Sequence, residues 1–140
     1  LEVKRFTASS GLSARFARDL DSGRILLPDG EHDGEEANGS DAPGCDYSGS
    51  LDGGIGTLDS PTAGIAFLDD PANQPGCRWF TMADDFGFIA ANPTWDTVLT
   101  LELNEERSFR WGAWIHPGSP DKSEVKRVYK LFTENSSINM

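Results

Sequence analysis

Two histidines and an abundance of carboxylates set the limits of the chemistry this chain could perform. His116 follows an alternating apolar run and precedes Pro117-Gly118, which puts an imidazole at a strand-to-loop edge where site residues concentrate. A neutral imidazole there could serve as a general base, with Asp46 or Asp70 as its orienting or acidic partner. His32 is the only other histidine, so a three-histidine zinc site is excluded, although two histidines and a carboxylate would suffice for a metal. Asp29-Gly30-Glu31-His32-Asp33-Gly34 opens like a calcium loop, with oxygen donors at alternate positions and then a glycine for the sharp turn. The pattern fails where a bidentate glutamate is needed, since Ser40 stands there, so the segment reads as a solvated acidic stretch. Asp69-Asp70 could supply paired carboxylates for work on a glycosidic bond, but a chain with 23 acidic residues offers many such pairs. No Gly-x-Ser-x-Gly elbow supports a serine nucleophile, and no cofactor is expected.

Aromatic residues offer a different chemistry. Tryptophan and tyrosine faces suit the C–H surface of sugar rings. Trp111 shares a strand face with Phe109 and Ile115 and reads as core, Trp114 points the other way, and Trp79 and Trp95 lie beside loops. A carbohydrate cleft built from Asp46, Tyr47, Asp70, Asn73, Trp79 and His116 follows: Asp46, Asp70 and Asn73 bonding hydroxyls, Tyr47 and Trp79 stacking, His116 donating or accepting. The only cysteines, Cys45 and Cys77, are too few for a thiolate metal site. A disulfide between them is expected; it would close a loop of about 30 residues and contribute roughly 2–4 kcal/mol. Asn38-Gly39-Ser40 and Asn135-Ser136-Ser137 are sequons, so Asn38 and Asn135 are glycosylation positions if the chain enters a eukaryotic secretory route.

Short alternating elements must position these residues. The chain, 140 residues long, is of single-domain size, and its 12 basic against 23 acidic residues give a net charge of −11. A phosphate backbone or an anionic membrane surface would be repelled, and no apolar run is long enough to span a bilayer. Strands are expected at Leu1–Phe6, Leu12–Arg18 (with Leu12, Ala14 and Phe16 on one face), Ser22–Leu27, Ala63–Leu68, Cys77–Met82, Phe86–Ala91, Thr97–Leu103 and Ser108–His116. Residues 28–54 are rich in Gly, Asp and Glu and read as a long acidic surface loop, with residues 31–41 mobile or held from outside. A helix is expected over residues 119–132, with Ser119 as N-cap, Pro120 at N1, and Val125, Val128, Tyr129 and Phe132 forming its apolar stripe. The tail from Thr133 is expected to fray.

Several segments, taken in order, resemble the PmoA-like family of bacterial proteins. They are Gly23-Arg24-Ile25-Leu26, Gly34-Glu35-Glu36-Ala37, Asp46-Tyr47-Ser48-Gly49, Gly64 to Asn73, Arg78-Trp79-Phe80, Phe86 to Pro93, and Ile115-His116-Pro117-Gly118. The resemblance implies a β-rich sandwich related to carbohydrate-active folds, with no assigned activity. Members of that family are longer, so the chain is similar to their C-terminal half. It departs from the pattern at Asp70, where the family has His. It departs again at Gln74-Pro75-Gly76-Cys77, which lacks a second His, and between Ala37 and Asp46, where a Trp and a Lys-Arg pair are replaced. These departures argue against catalysis.

The expectation is therefore a single all-β domain over residues 1–140, an antiparallel β-sandwich that is half of a larger plan and carries one C-terminal helix. Its expected role is that of a non-catalytic module of an exported, extracytoplasmic protein, contacting carbohydrate or building structure. The alternatives are a carbohydrate-active enzyme using His116 with Asp46 or Asp70, and a self-assembling fibre or shell subunit. In the last case Leu1–Phe6 is the strand expected to complete a neighbouring copy's sheet.

Overall fold

The computed structural model describes residues 2, 3, 11–16, 23–50, 62–83 and 87–136. Among these residues are ten strands, β1 (Glu2–Val3), β2 (Ser13–Arg15), β3 (Arg24–Leu27), β4 (Gly30–His32), β5 (Gly44–Ser50), β6 (Thr62–Asp69), β7 (Arg78–Met82), β8 (Phe88–Asn92), β9 (Leu99–Thr100) and β10 (Trp111–Pro117), and two helices, α1 (Gly34–Ala37) between β4 and β5 and α2 (Lys122–Ser136) after β10. All pairings are antiparallel. A five-stranded sheet runs β10-β6-β5-β3-β4 and a three-stranded sheet runs β2-β8-β7. The chain is thus an all-β sandwich with a C-terminal helix, as its alternation predicts.

The core forms where the apolar face of each sheet meets the other. Ile25, Leu27, Cys45, Tyr47 and Phe67 of the larger sheet pack on Trp79, Ile89 and Ala91 of the smaller, with Leu12, Ala14 and Phe16 at the margin. Tyr47 and Phe16 stack with ring centroids 4.4 Å apart. The opposite face of the large sheet is covered by α2, which packs against β5 and β6. Val125 is buried, and Val128, Tyr129 and Phe132 are half-buried, so the expected stripe is the contact face.

Several expectations are corrected. Residues 28–54 are not a loop: they hold β4, α1 and β5, with residues 51–54 outside the described residues. Strand β5 is hard to see because it consists of small and polar residues, yet it lies between β3 and β6 with Cys45 and Tyr47 in the core. Residues 31–41, expected to be mobile or held from outside, are held from outside, through the edge of β7. Trp79 accepts from Gly39 N–H (2.8 Å) and donates to Ser40 C=O (2.9 Å), Thr81 Oγ1 donates to Gly34 C=O (2.6 Å), and Ala37 is buried in the core. The expected strand 97–103 shrinks to β9 because only β1 pairs with it, and Leu103 is 91% exposed before a turn at Asn104 with φ 66°. Likewise Ser108–Arg110 precede the last strand, which starts at Trp111.

The helix starts later and ends later than expected. Asp121, not Ser119, is its N-cap: Asp121 Oδ1 accepts from Ser123 N–H (2.7 Å) and Glu124 N–H (3.0 Å), while Glu124 Oε2 accepts from Asp121 N–H (3.1 Å). This reciprocal box outcompetes the serine two residues upstream. The helix continues through Ser136, so the tail expected to fray from Thr133 is helical there, and the sequon Asn135 lies on it. The Asn38 side chain accepts from Thr81 N–H at 3.2 Å. Within the expected strand Leu1–Phe6, Glu2 and Val3 pair with Thr100 and Leu99 of the same chain; the rest lies outside the described residues. Cys45 and Cys77 are free and buried, which overturns the disulfide. Cys45 lies on β5 and Cys77 just before β7; both line the core, where neither bonds the other. Burial pushes both thiols up from their ordinary range, so they sit as neutral core groups.

Candidate functional site

The expected cleft residues fall into three separate places. The first is a buried pair. His116 Nε2 and Asp46 Oδ1 are 2.7 Å apart, with side chains 2% and 0% exposed. They lie on the sheet face that α2 covers, on β10 and β5, strands separated by β6. Second neighbours in a sheet are about 9.6 Å apart, so the two side chains must meet over whatever β6 presents. It presents Gly64, which is in register with both Ser48 and His116. A side chain at residue 64 would occupy the space through which the imidazole reaches the carboxylate.

The surroundings are only partly satisfied. Asp46 Oδ2, Ser48 Oγ and Arg24 Nε are buried without a hydrogen-bond partner, although Ser48 and Arg24 lie near enough to favour the carboxylate's charge. Arg24 is otherwise engaged, donating to Glu31 Oε2 (2.8 Å) and to the Pro120 carbonyl that precedes α2. Burial raises the Asp46 pKa above the ordinary carboxylate range, opposed by the hydrogen bond and charge of His116. The folded protein therefore holds this proton more tightly than the unfolded chain. That contribution is complete below the ordinary carboxylate pKa and is lost as pH rises through the raised value. Asp46→Asn keeps an acceptor for His116 and removes the ionisation. Urea unfolding from pH 4 to pH 7 should show wild type losing stability relative to this variant as pH rises. Parallel curves would show that Asp46 ionises at no cost.

A general base needs a ring nitrogen aimed at substrate. Here Nε2 is taken by Asp46, and Nδ1 faces the Pro117 carbonyl at 3.4 Å. The sequence pairing of His116 with Asp46 is thus realised as a clamp joining β5 to β10. The pairing with Asp70 is not: Gly64 and Asp70 stand at opposite ends of β6, about 20 Å apart at the strand rise.

Asp70 and Asn73 make the second place, a fastening at that far end. Arg110 Nη1 donates to Asp70 Oδ2 (2.5 Å), and Asp70 Oδ1 accepts from Ala72 N–H (2.9 Å). Asn73 imitates a strand partner for Arg110, donating to its carbonyl (2.8 Å) and accepting from its N–H (2.8 Å), and its amide also bonds Asp69 Oδ1 (2.7 Å). Tyr47 and Trp79 make the third place, and it is the core. Both are 0% exposed, and the Trp79 indole donates to Ala42 C=O at 2.7 Å. Neither ring offers a face to a sugar. Alternation along β7 turns Trp79 and Thr81 inward, and Arg78 outward.

A concave site lies elsewhere, beside the fastening. A cavity of about 320 Å³ is lined by Asp41, Asp69, Pro75, Gly76, Cys77, Arg78, Asn92, Pro93, Trp95, Asp96 and Thr97. Arg78 is its organising cation: Nε donates to Asp96 Oδ2 (2.7 Å), and Nη1 lies 3.5 Å from Asp41 Oδ2 and donates to Gly39 C=O (3.3 Å). The Asp96 bond raises the guanidinium's already high pKa, so it stays charged. Trp95 is half-buried, braced by Phe80 at 6.5 Å between ring centroids, and Gly39 leaves room for its indole edge. Asp69 is already bonded to the Asn73 amide and to Cys77 N–H (3.0 Å). None of the six residues expected in a cleft lines this cavity. No cluster of three metal-ligating residues occurs among the described residues.

Comparison with known sequences bears on the whole sandwich. Residues 2–130 match a family of unknown function, DUF6807, a span that takes in every strand and most of α2. The chain belongs to that family. No curated protein and no solved structure matches this DUF6807 chain. Among the described residues of this DUF6807 chain, no helix is long and apolar enough to cross a membrane.

Proposed function

We propose that the chain is a non-catalytic β-sandwich module that contacts carbohydrate through the cavity around Trp95. The observation that carries this reading is the pairing of a half-exposed indole with a fixed fork of Arg78, Asp41 and Asp96 in a cavity of about 320 Å³. Sugar recognition needs an aromatic plate for the ring's C–H face and pre-oriented donors and acceptors for its hydroxyls. Three carboxylates against one guanidinium line the cavity, so a neutral sugar fits it better than a uronate. The sealed His116–Asp46 pair lies outside the cavity, which favours binding over hydrolysis. Export of the module is part of this reading.

Calorimetric titration with a neutral soluble glucan and with a polyuronate tests the proposal. The glucan should bind and the polyuronate should not. Trp95→Ala should weaken binding by about tenfold, the size of one lost aromatic contact, while leaving the circular dichroism spectrum unchanged. No heat with any glycan, or equal affinity in the variant, would remove the carbohydrate reading.

A further inference from the structure

Sheet edges expose main-chain donors and acceptors, and stable proteins blunt them with shortness, charge or cover. Among the described residues the two facing sheets have four edges, and three of them are blunted in this way. Strand β4 has three residues with Glu31 at its centre, β2 has three and ends in Arg15, and β7 is covered by the segment that follows α1. Strand β10 is different. It is seven residues long, and Trp111-Gly112-Ala113-Trp114-Ile115-His116-Pro117 carries no Asp, Glu, Lys or Arg in a chain of net charge −11.

The ladder's phase shows what this edge offers. Gly118 N–H donates to Thr62 C=O (2.7 Å) and Asp70 N–H to Arg110 C=O (3.3 Å), so the even-numbered residues of β10 bond to β6. Trp111, Ala113 and Ile115 therefore turn their N–H and C=O groups away from the sheet. The side chains agree with an uncovered edge: Ala113 is exposed and Ile115 is 77% exposed.

We propose that β10 pairs antiparallel with β10 of a second copy, joining two five-stranded sheets into one. The edge matches itself about Ala113. With Ala113 opposite Ala113, the small residues sit at the two-fold axis, and Trp111 of one copy lies opposite Ile115 of the other. Every outward N–H and C=O of these three residues then finds a partner, and the exposed isoleucine is covered by an indole. Each copy carries a net charge of −11, so the contact forms along this uncharged strip and should tighten as added salt screens the repulsion between the copies.

Sedimentation equilibrium of the full chain is the test. An interface of one strand edge is small, so dimerisation is expected with Kd of about 10–100 µM. Ile115→Lys adds an edge charge at an exposed position, and Ala113→Pro removes an outward N–H that takes no part in the β6 ladder. Each should weaken the dimer by about tenfold or more, with an unchanged circular dichroism spectrum and unchanged glycan titration. A wild-type chain that stays monomeric to about 500 µM, well above that Kd range, would overturn the proposal. So would a dimer indifferent to both variants, or a monomer whose β10 captures an unrelated extended peptide.

Discussion

Replacing His116 with alanine is expected to destabilise the fold by about 3–5 kcal/mol, the range for breaking a buried polar pair from one side. The Asp46 carboxylate is fully buried, and its Oδ2 already lacks a partner, so losing the 2.7 Å bond to Oδ1 would leave the whole group unsatisfied. The imidazole also packs against Trp114 at 4.4 Å between ring centroids, and that contact would go with it. Removing both members should cost less than the sum of the single losses, because Asp46→Ala in the His116→Ala background removes the orphaned carboxylate. Chemical unfolding of the two single variants and the double variant measures this coupling. Additive losses would mean that the two side chains act independently. Glycan binding should persist in His116→Ala under folding conditions, since neither member of the pair lines the Trp95 cavity. Loss of binding in a folded His116→Ala protein would instead connect the pair to the site.

The contrast between this pair and the cavity shows what a sequence can reveal. Asp46 and His116 stand 70 residues apart, yet both are recognisable as candidates because few residue types can do acid–base work. Their burial was not legible. A strand that alternates small apolar with polar residues normally has one wet face, and β5 breaks the rule because α2 covers the face bearing Asp46 and Ser48. The same covered polar face makes residues 44–50 resemble a loop in sequence. Strands β6, β7 and β8 were legible because large apolar residues mark at least one of their faces. In β7 Trp79 alternates with Arg78, and Arg78 is the one that reaches the cavity. Trp95 follows Asn92-Pro93-Thr94, a turn signal that puts an indole beyond the end of β8, but its partners Asp41 and Arg78 converge on it only through tertiary structure.

A methyl group at Gly64 is expected to cost about 3 kcal/mol or more, the upper range for overpacking a close-fitted interior. An added Cβ would lie 2.6 Å from the Tyr47 carbonyl oxygen, 2.6 Å from His116 Cε1 and 2.7 Å from Ser48 Cβ. Two of these three atoms are fixed to the backbone of β5, the neighbouring strand, so rotating a side chain cannot relieve the clash. The strands themselves would have to separate, and the reach of His116 over β6 depends on their not doing so. Gly76→Ala is the matched control. Its added Cβ would meet only Asp69 Oδ2 at 3.5 Å, an ordinary contact, so the reduced freedom of the unfolded chain should leave this variant neutral or more stable by up to about 1 kcal/mol. Thermal and urea unfolding of the two variants separate crowding from the general effect of removing a glycine. Placing Gly64→Ala in the His116→Ala background sharpens the comparison. Since the Tyr47 oxygen and Ser48 Cβ remain, most of the Gly64→Ala cost should persist without the imidazole. A Gly64→Ala loss that vanished in that background would mean that the ring alone fills the space, and that β5 and β6 can yield to a methyl group.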